Sequence, residues 1–137
     1  YLELKENKGL VVGLIKDMEA KNLKDLIKMM PIPLDEDGKF GSKISDDVAE
    51  SAITLFGSLP AIARKKFEPL QQLTPTPYGT LVFDFYRKKH FVSIEVGNSK
   101  FGFYSDLPDK TSPQLSGIDL NPTTISIVVK CLDILYK

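Results

Sequence analysis

Few side chains in this sequence have the chemistry to catalyse or to bind. Asp84 and Glu95 lie in two successive stretches of alternating character, Leu81-Val82-Phe83-Asp84-Phe85-Tyr86 and Phe91-Val92-Ser93-Ile94-Glu95-Val96. If these pair as antiparallel strands with Tyr86 opposite Phe91, then Asp84 faces Ser93, Glu95 faces Val82, and both carboxylates stand diagonally on one sheet face. Carboxylates so placed can share a proton or a cation, or divide acid and base roles when their surroundings push their pKa values apart. The same face carries Tyr86, Phe91 and Tyr104, which is many aromatics for a surface that meets only water. Exposed together they form an apolar patch of the kind that marks a partner surface. Two cationic clusters, Arg64-Lys65-Lys66 and Arg87-Lys88-Lys89, can hold an anion or an acidic partner if the fold brings them together; a charge run alone is a solvated face.

The remaining chemistry is bounded by what the chain lacks. Cys131 is its single cysteine and His90 its single histidine. One cysteine excludes an internal disulfide and a multi-cysteine zinc site within this chain, and one histidine leaves at most one imidazole for a triad or a metal cluster. Cys131 falls within an apolar helical stripe and reads as packing, with no cluster to activate its thiol. The acidic turn Leu34-Asp35-Glu36-Asp37-Gly38 invites a calcium reading. Aligned on Gly38, however, it puts Pro33 at the first ligand position and Ile44 where a bidentate glutamate belongs, so it reads as a turn. No cofactor and no metal are expected.

The 18 basic and 18 acidic residues balance, so the chain has no global electrostatic footprint for nucleic acid, whose binding rests on phosphate neutralisation. No run approaches the ~20 apolar residues needed to cross a bilayer. A cytoplasmic location is the default expectation, although the start at Tyr1 leaves room for a removed N-terminal segment.

The elements that must position these residues follow from periodicity. The stretch Thr74 to Asp106 predicts a three-stranded antiparallel meander, because Leu81, Phe83 and Phe85, then Val92, Ile94 and Val96, then Phe101 and Phe103 repeat at every second residue. Pairing Phe85 with Val92, Phe83 with Ile94 and Leu81 with Val96 matches all three core pairs, and placing Val96 opposite Phe101 brings Ile94 opposite Phe103. A one-residue slip would turn every side chain to the wrong face. Four-residue loops, Arg87 to His90 and Gly97 to Lys100, are expected between the strands.

Residues 8–30 carry helical stripes at Leu10, Val11, Leu14, Ile15 and Met18 and at Leu23, Leu26, Ile27 and Met30, with a break near Ala20-Lys21-Asn22. A strand over Leu10 to Ile15 is the alternative there. Ser45 with Asp46 and Asp47 predicts a helix start, and that helix should end near Ser58, before Pro60. A short helix follows to Phe67. Pro75 and Pro77 place the approach to the first strand at an edge or outside the sheet. Leu107 to Leu120 reads as a loop, and Asn121-Pro122 caps a final helix whose buried stripe is Ile125, Val128, Val129, Leu132 and Tyr136.

The stretch from Ser45 to Asp106 resembles a pattern found in short uncharacterised bacterial proteins. The likeness rests on the Leu59-Pro60 step, on Pro75-Thr76-Pro77-Tyr78-Gly79 and on Ser93-Ile94-Glu95-Val96-Gly97. It departs from that pattern at Asp84-Phe85, where Glu-Trp is usual, and at Tyr78, where Asp is usual. The resemblance implies a small α+β intracellular bacterial protein and no particular activity.

The expectation is therefore one α+β domain over residues 1–137, with N- and C-terminal helices packed on one face of a three-stranded or slightly larger antiparallel sheet. Its expected function is that of a non-enzymatic protein-protein interaction module, of regulatory or immunity/antitoxin-like type. Such a module binds a protein partner, or itself as a homodimer, through Tyr86, Phe91, Tyr104, Asp84 and Glu95. The alternative is a small enzyme or cation-binding protein built on Asp84 and Glu95.

Overall fold

The structure, a computed structural model, describes residues 23–30, 32 and 43–137. The stripe at Leu10 to Met18, its strand alternative and the acidic turn at Leu34 to Gly38 lie outside the described residues. Helix α1 is seen over 23–29 and buries Leu23 and Ile27, which are four apart and so share a face. Its lysines reach α2 (Asp46–Gly57): Lys24 pairs with Glu50, and Lys28 lies 3.1 Å from Asp46.

Helix α2 starts as its sequence requires, with the Ser45 hydroxyl accepting from the Val48 N–H and Asp46 and Asp47 in the first turn. Val48, Ala49, Ala52, Leu55 and Phe56 form its buried stripe. Two short helices follow, α3 (Ala61–Lys66) and α4 (Pro69–Gln72).

The sheet is antiparallel and has five strands in the order β1-β2-β3-β4-β5: β1 (Leu73–Pro75), β2 (Leu81–Arg87), β3 (His90–Val96), β4 (Lys100–Asp106) and β5 (Gln114–Asp119). The central register is the one the alternation dictates, with Phe85 opposite Val92, Phe83 opposite Ile94, Leu81 opposite Val96 and Ile94 opposite Phe103. The connections are tighter than expected. Arg87 still pairs with His90, so β2 and β3 are joined by Lys88-Lys89 alone, with Lys88 at φ 56°. Gly97 N–H likewise bonds the Lys100 carbonyl, which confines the next reversal to Asn98-Ser99.

Two strands lie beyond the expected three. Among the described residues β1 forms the edge beside β2, and Pro75 sits there at a position that faces no further described strand. β5 occupies the stretch expected to be loop. It pairs with β4 through a bulge: Phe101 faces Ile118 and Phe103 faces Leu115, so Ser116 and Gly117 together oppose Gly102. Gly117 has φ +60°, the left-handed value that a glycine bulge uses. Gly102 gives the bulge its room, since a Cβ there would come within 3.1 Å of the Leu115 carbonyl oxygen.

Helix α5 (Pro122–Leu135) opens with a reciprocal cap in which Asn121 accepts from Thr124 N–H and the Thr124 hydroxyl accepts from Asn121 N–H. Ile125, Val128, Cys131, Leu132 and Leu135 are buried. They join the α2 stripe and the inner strand rows in one apolar cluster. Phe56, Phe67, Phe83 and Phe85 form its aromatic part, with neighbouring ring centroids 5.1–6.5 Å apart. Burial of each such ring is worth about 2–3 kcal/mol against leaving it in water.

Candidate functional site

Alternation along β2, β3 and β4 sends the odd-numbered core residues of β2 and β4 to the apolar cluster and leaves three rows on the opposite face. Cross-strand pairing aligns Tyr86 with Phe91 and Asp106, then Asp84 with Ser93 and Tyr104, then Val82 with Glu95 and Gly102. The five outer-face residues singled out from the sequence are therefore brought together on three adjacent strands.

Within that face the carboxylates are held separately. Ser93, in the centre of the middle row and only 5% exposed, donates its hydroxyl proton to Asp84 Oδ1 at 2.6 Å. Glu95 Oε2 accepts from the Thr80 hydroxyl at 2.6 Å. Thr80 has one hydroxyl proton and gives it to Glu95, so Thr76, 2.6 Å away, must supply the proton of the Thr76–Thr80 contact. A donor chain thus runs Thr76 to Thr80 to Glu95. Thr76 belongs to the Pro75–Gly79 lead-in and Glu95 to the Ser93–Gly97 run, so the two sequence motifs meet at this carboxylate. Hydroxyl-to-carboxylate bonds of this length are charge-assisted and keep an acid in one rotamer.

The aromatics flank the acids. Tyr86 is 55% exposed and Tyr104 57% exposed, while Phe91 is partly covered. The Phe91 and Tyr104 rings meet edge to face at 5.4 Å, the geometry the ring quadrupoles favour, which fixes Tyr104 in place. Burial pushes the Tyr86 phenol above its ordinary pKa, and the Asp84 carboxylate and then Tyr104 push it further the same way. Beside them an open groove of about 720 Å³ runs toward the β5 edge, lined by Val82, Ser93, Glu95, Tyr104, Gln114 and Leu115 among others. The β5 wall is invisible in the sequence because a bulge breaks that strand's alternation. The Thr80 contact was missed for another reason: it comes from a turn preceding β2, which no alternation reports.

The cationic residues lie elsewhere. Arg87 points its guanidinium at the end of α5, donating to the Leu135 carbonyl at 3.4 Å and to the Lys137 carbonyl. Lys66 places its ammonium 5.7 Å from the centre of the Tyr136 ring. The α3 cluster and the β2–β3 turn thus converge on residues 135–137, but Arg87 and Lys66 are engaged there as a clamp on the helix end, where cations are favoured. Lys88 and Lys89 are exposed at the turn tip. His90 Nδ1 lies 3.4 Å from Asp106 Oδ1.

Cys131 is buried, and burial raises its thiol pKa, with Asp109 adding to the effect. Among the described residues no group of three or more His, Cys, Asp or Glu is placed to hold a metal ion. No helix among them is long and apolar enough to cross a membrane.

These features define an α+β chain with an antiparallel sheet that presents aromatic rings and tethered carboxylates on one face. Comparison with protein-family models, with curated proteins and with solved structures finds no match to the chain.

Proposed function

We propose that this chain is a non-enzymatic protein-interaction module, of regulatory or immunity/antitoxin-like type. Its helices cover one face of the sheet, and the opposite face docks a protein partner. The observation that carries this reading is the pair of tyrosines, Tyr86 and Tyr104, each more than half exposed on a sheet face, with Tyr104 held by Phe91. Large rings fixed in a partly apolar surface bury much area on contact at little entropic cost, which is why tyrosine is enriched at interfaces. A homodimer through this face is the simplest version.

The alternative of a shared acid and base at Asp84 and Glu95 is weakened by the same geometry. Each carboxylate is tied to its own hydroxyl, Asp84 to Ser93 and Glu95 to Thr80, so the two are oriented by different neighbours and not by a proton they share.

Light scattering and co-purification of the wild type against Tyr86→Glu and Phe91→Glu test the reading. Loss of a self-associated state or of a co-purifying protein is the expected result. An unchanged oligomeric state with unchanged co-purifying proteins removes it.

A further inference from the structure

Resting on the interaction reading, we infer that the outer sheet face receives a cationic protein segment, whose lysine or arginine side chains stack on Tyr86 and Tyr104 and end on Asp84 and Glu95. The argument is one of complementarity. Each carboxylate spends one oxygen on a neutral hydroxyl, Ser93 for Asp84 and Thr80 for Glu95. A hydroxyl orients an acid without neutralising it, so both negative charges remain on the face. Lys100, which the alternation also puts on this side, is paired with Asp119 across the β4–β5 edge at 3.3 Å. Asp106, in the outer row with Phe91, lies within reach of His90 at the strand end.

The tyrosines supply the second half of the recognition. A guanidinium or ammonium over a tyrosine ring is attracted by the negative face of the ring. Asp84 shares its cross-strand row with Tyr104 through Ser93, and Tyr86 stands two residues along the same strand face, so the two rings flank one carboxylate. The groove of about 720 Å³ beside Glu95 has room for the aliphatic stems, which would lie against Val82 and Leu115. An acidic segment or a nucleic-acid backbone would meet like charge here. A second copy of this chain could offer its own cationic end, around Lys65, Lys88 and Lys89, but such a head-to-tail contact would build rings or open chains and not a two-fold dimer.

The full chain is titrated by fluorescence anisotropy against labelled arginine-rich, charge-neutral and acidic peptides of equal length, with Asp84→Asn, Glu95→Gln and Tyr104→Ala alongside. The arginine-rich peptide is expected to bind at least about tenfold tighter than the neutral one. Tyr104→Ala, which leaves the net charge unchanged, should weaken it by about threefold or more. The paired change Asp84→Asn with Glu95→Gln should weaken it by about tenfold or more. Circular dichroism of each variant confirms that the fold is kept, and Tyr104 is exposed enough for its removal to be tolerated.

Arginine-rich binding that survives Tyr104→Ala together with Tyr86→Ala overturns the proposal, since it is then charge attraction without a site. Binding of the neutral peptide as tightly as the cationic one, lost on Tyr86→Glu, overturns the cationic chemistry and leaves the interaction face standing. Self-association of the chain that disappears with Glu95→Gln overturns it in favour of a second copy. No binding of any peptide, with co-purifying proteins indifferent to Tyr86→Glu, removes both this inference and the interaction reading.

Discussion

Thr80 and Glu95 meet at 2.6 Å, the last contact of a donor chain that begins at Thr76. The contact joins a turn rich in proline to the middle strand of the sheet, so it should both steady the turn and hold the acid. Replacing Thr80 with Val keeps the shape and removes the donor. The expected loss is about 1 kcal/mol of stability, read as a lower urea midpoint at unchanged slope, with Thr80→Ser close to wild type.

The Ser93–Asp84 bond should behave as a coupled pair. Ser93→Ala alone leaves a carboxylate without its partner and should cost about 1–2 kcal/mol. In a double-mutant cycle with Asp84→Ala, the combined loss should fall short of the sum by about 1 kcal/mol. Additive losses would show that the 2.6 Å contact contributes nothing to stability.

Arg87 looks from the sequence like part of an exposed cationic tip, yet it bonds the carbonyls that end α5. Arg87→Ala should therefore lower stability by about 0.5–1.5 kcal/mol, measured as a lower thermal midpoint, while Lys89→Ala should leave it unchanged.

Lys88 adopts φ 56° in the two-residue turn between β2 and β3. An L-residue there is strained, and glycine is not. Lys88→Gly should raise stability by about 0.5–1 kcal/mol, and calorimetry should show a midpoint a few degrees higher. A fall would mean that the lysine side chain makes a compensating contact.

Three groups that burial raises weaken the fold at alkaline pH. Burial raises Cys131, Tyr86 and Tyr136 above their ordinary values, with Asp109 adding at Cys131, and Asp84 and Tyr104 at Tyr86. Below the ordinary thiol pKa of about 8.5 all three are protonated in folded and unfolded chains alike, and their contribution is fully present. As pH rises the unfolded chain loses these protons first, so stability falls until the folded-state values are passed. Urea unfolding between about pH 8 and 11 should show this decline, and Cys131→Ala should delay its onset toward the tyrosine range near pH 10.

The central meander was legible because its core residues repeat at every second position on three consecutive strands, and only one register satisfies all of them. β5 was not, and the bulge explains why. Leu115 and Ile118 pair with Phe103 and Phe101, yet stand three residues apart where their partners stand two apart. Such a spacing, among exposed Ser and Gly, carries no strand period. β1 was hidden by its length and by Pro75, although the proline did mark it as an edge. Of the candidate site, the aromatic and acidic positions followed from register. The hydroxyls that hold Asp84 and Glu95 did not, because serine and threonine acquire such roles only through what the fold sets beside them. Arg87 is exposed as its charge suggests, but its strand parity also turns it toward α5, whose last carbonyls it bonds.

The sheet is finished unevenly at its two sides. β1 is three residues long and ends in a proline, so it lacks the continuous row of N–H donors that another strand would need. β5 carries a left-handed glycine and a bulge, which twists its free backbone out of line. Among the described residues, neither margin has the straight, regular backbone on which foreign strands stack. A regular edge strand is the usual place where a sheet grows by adding another chain. The irregularities that hid β1 and β5 from pattern reading are thus the same ones that make each a poor template for strand addition.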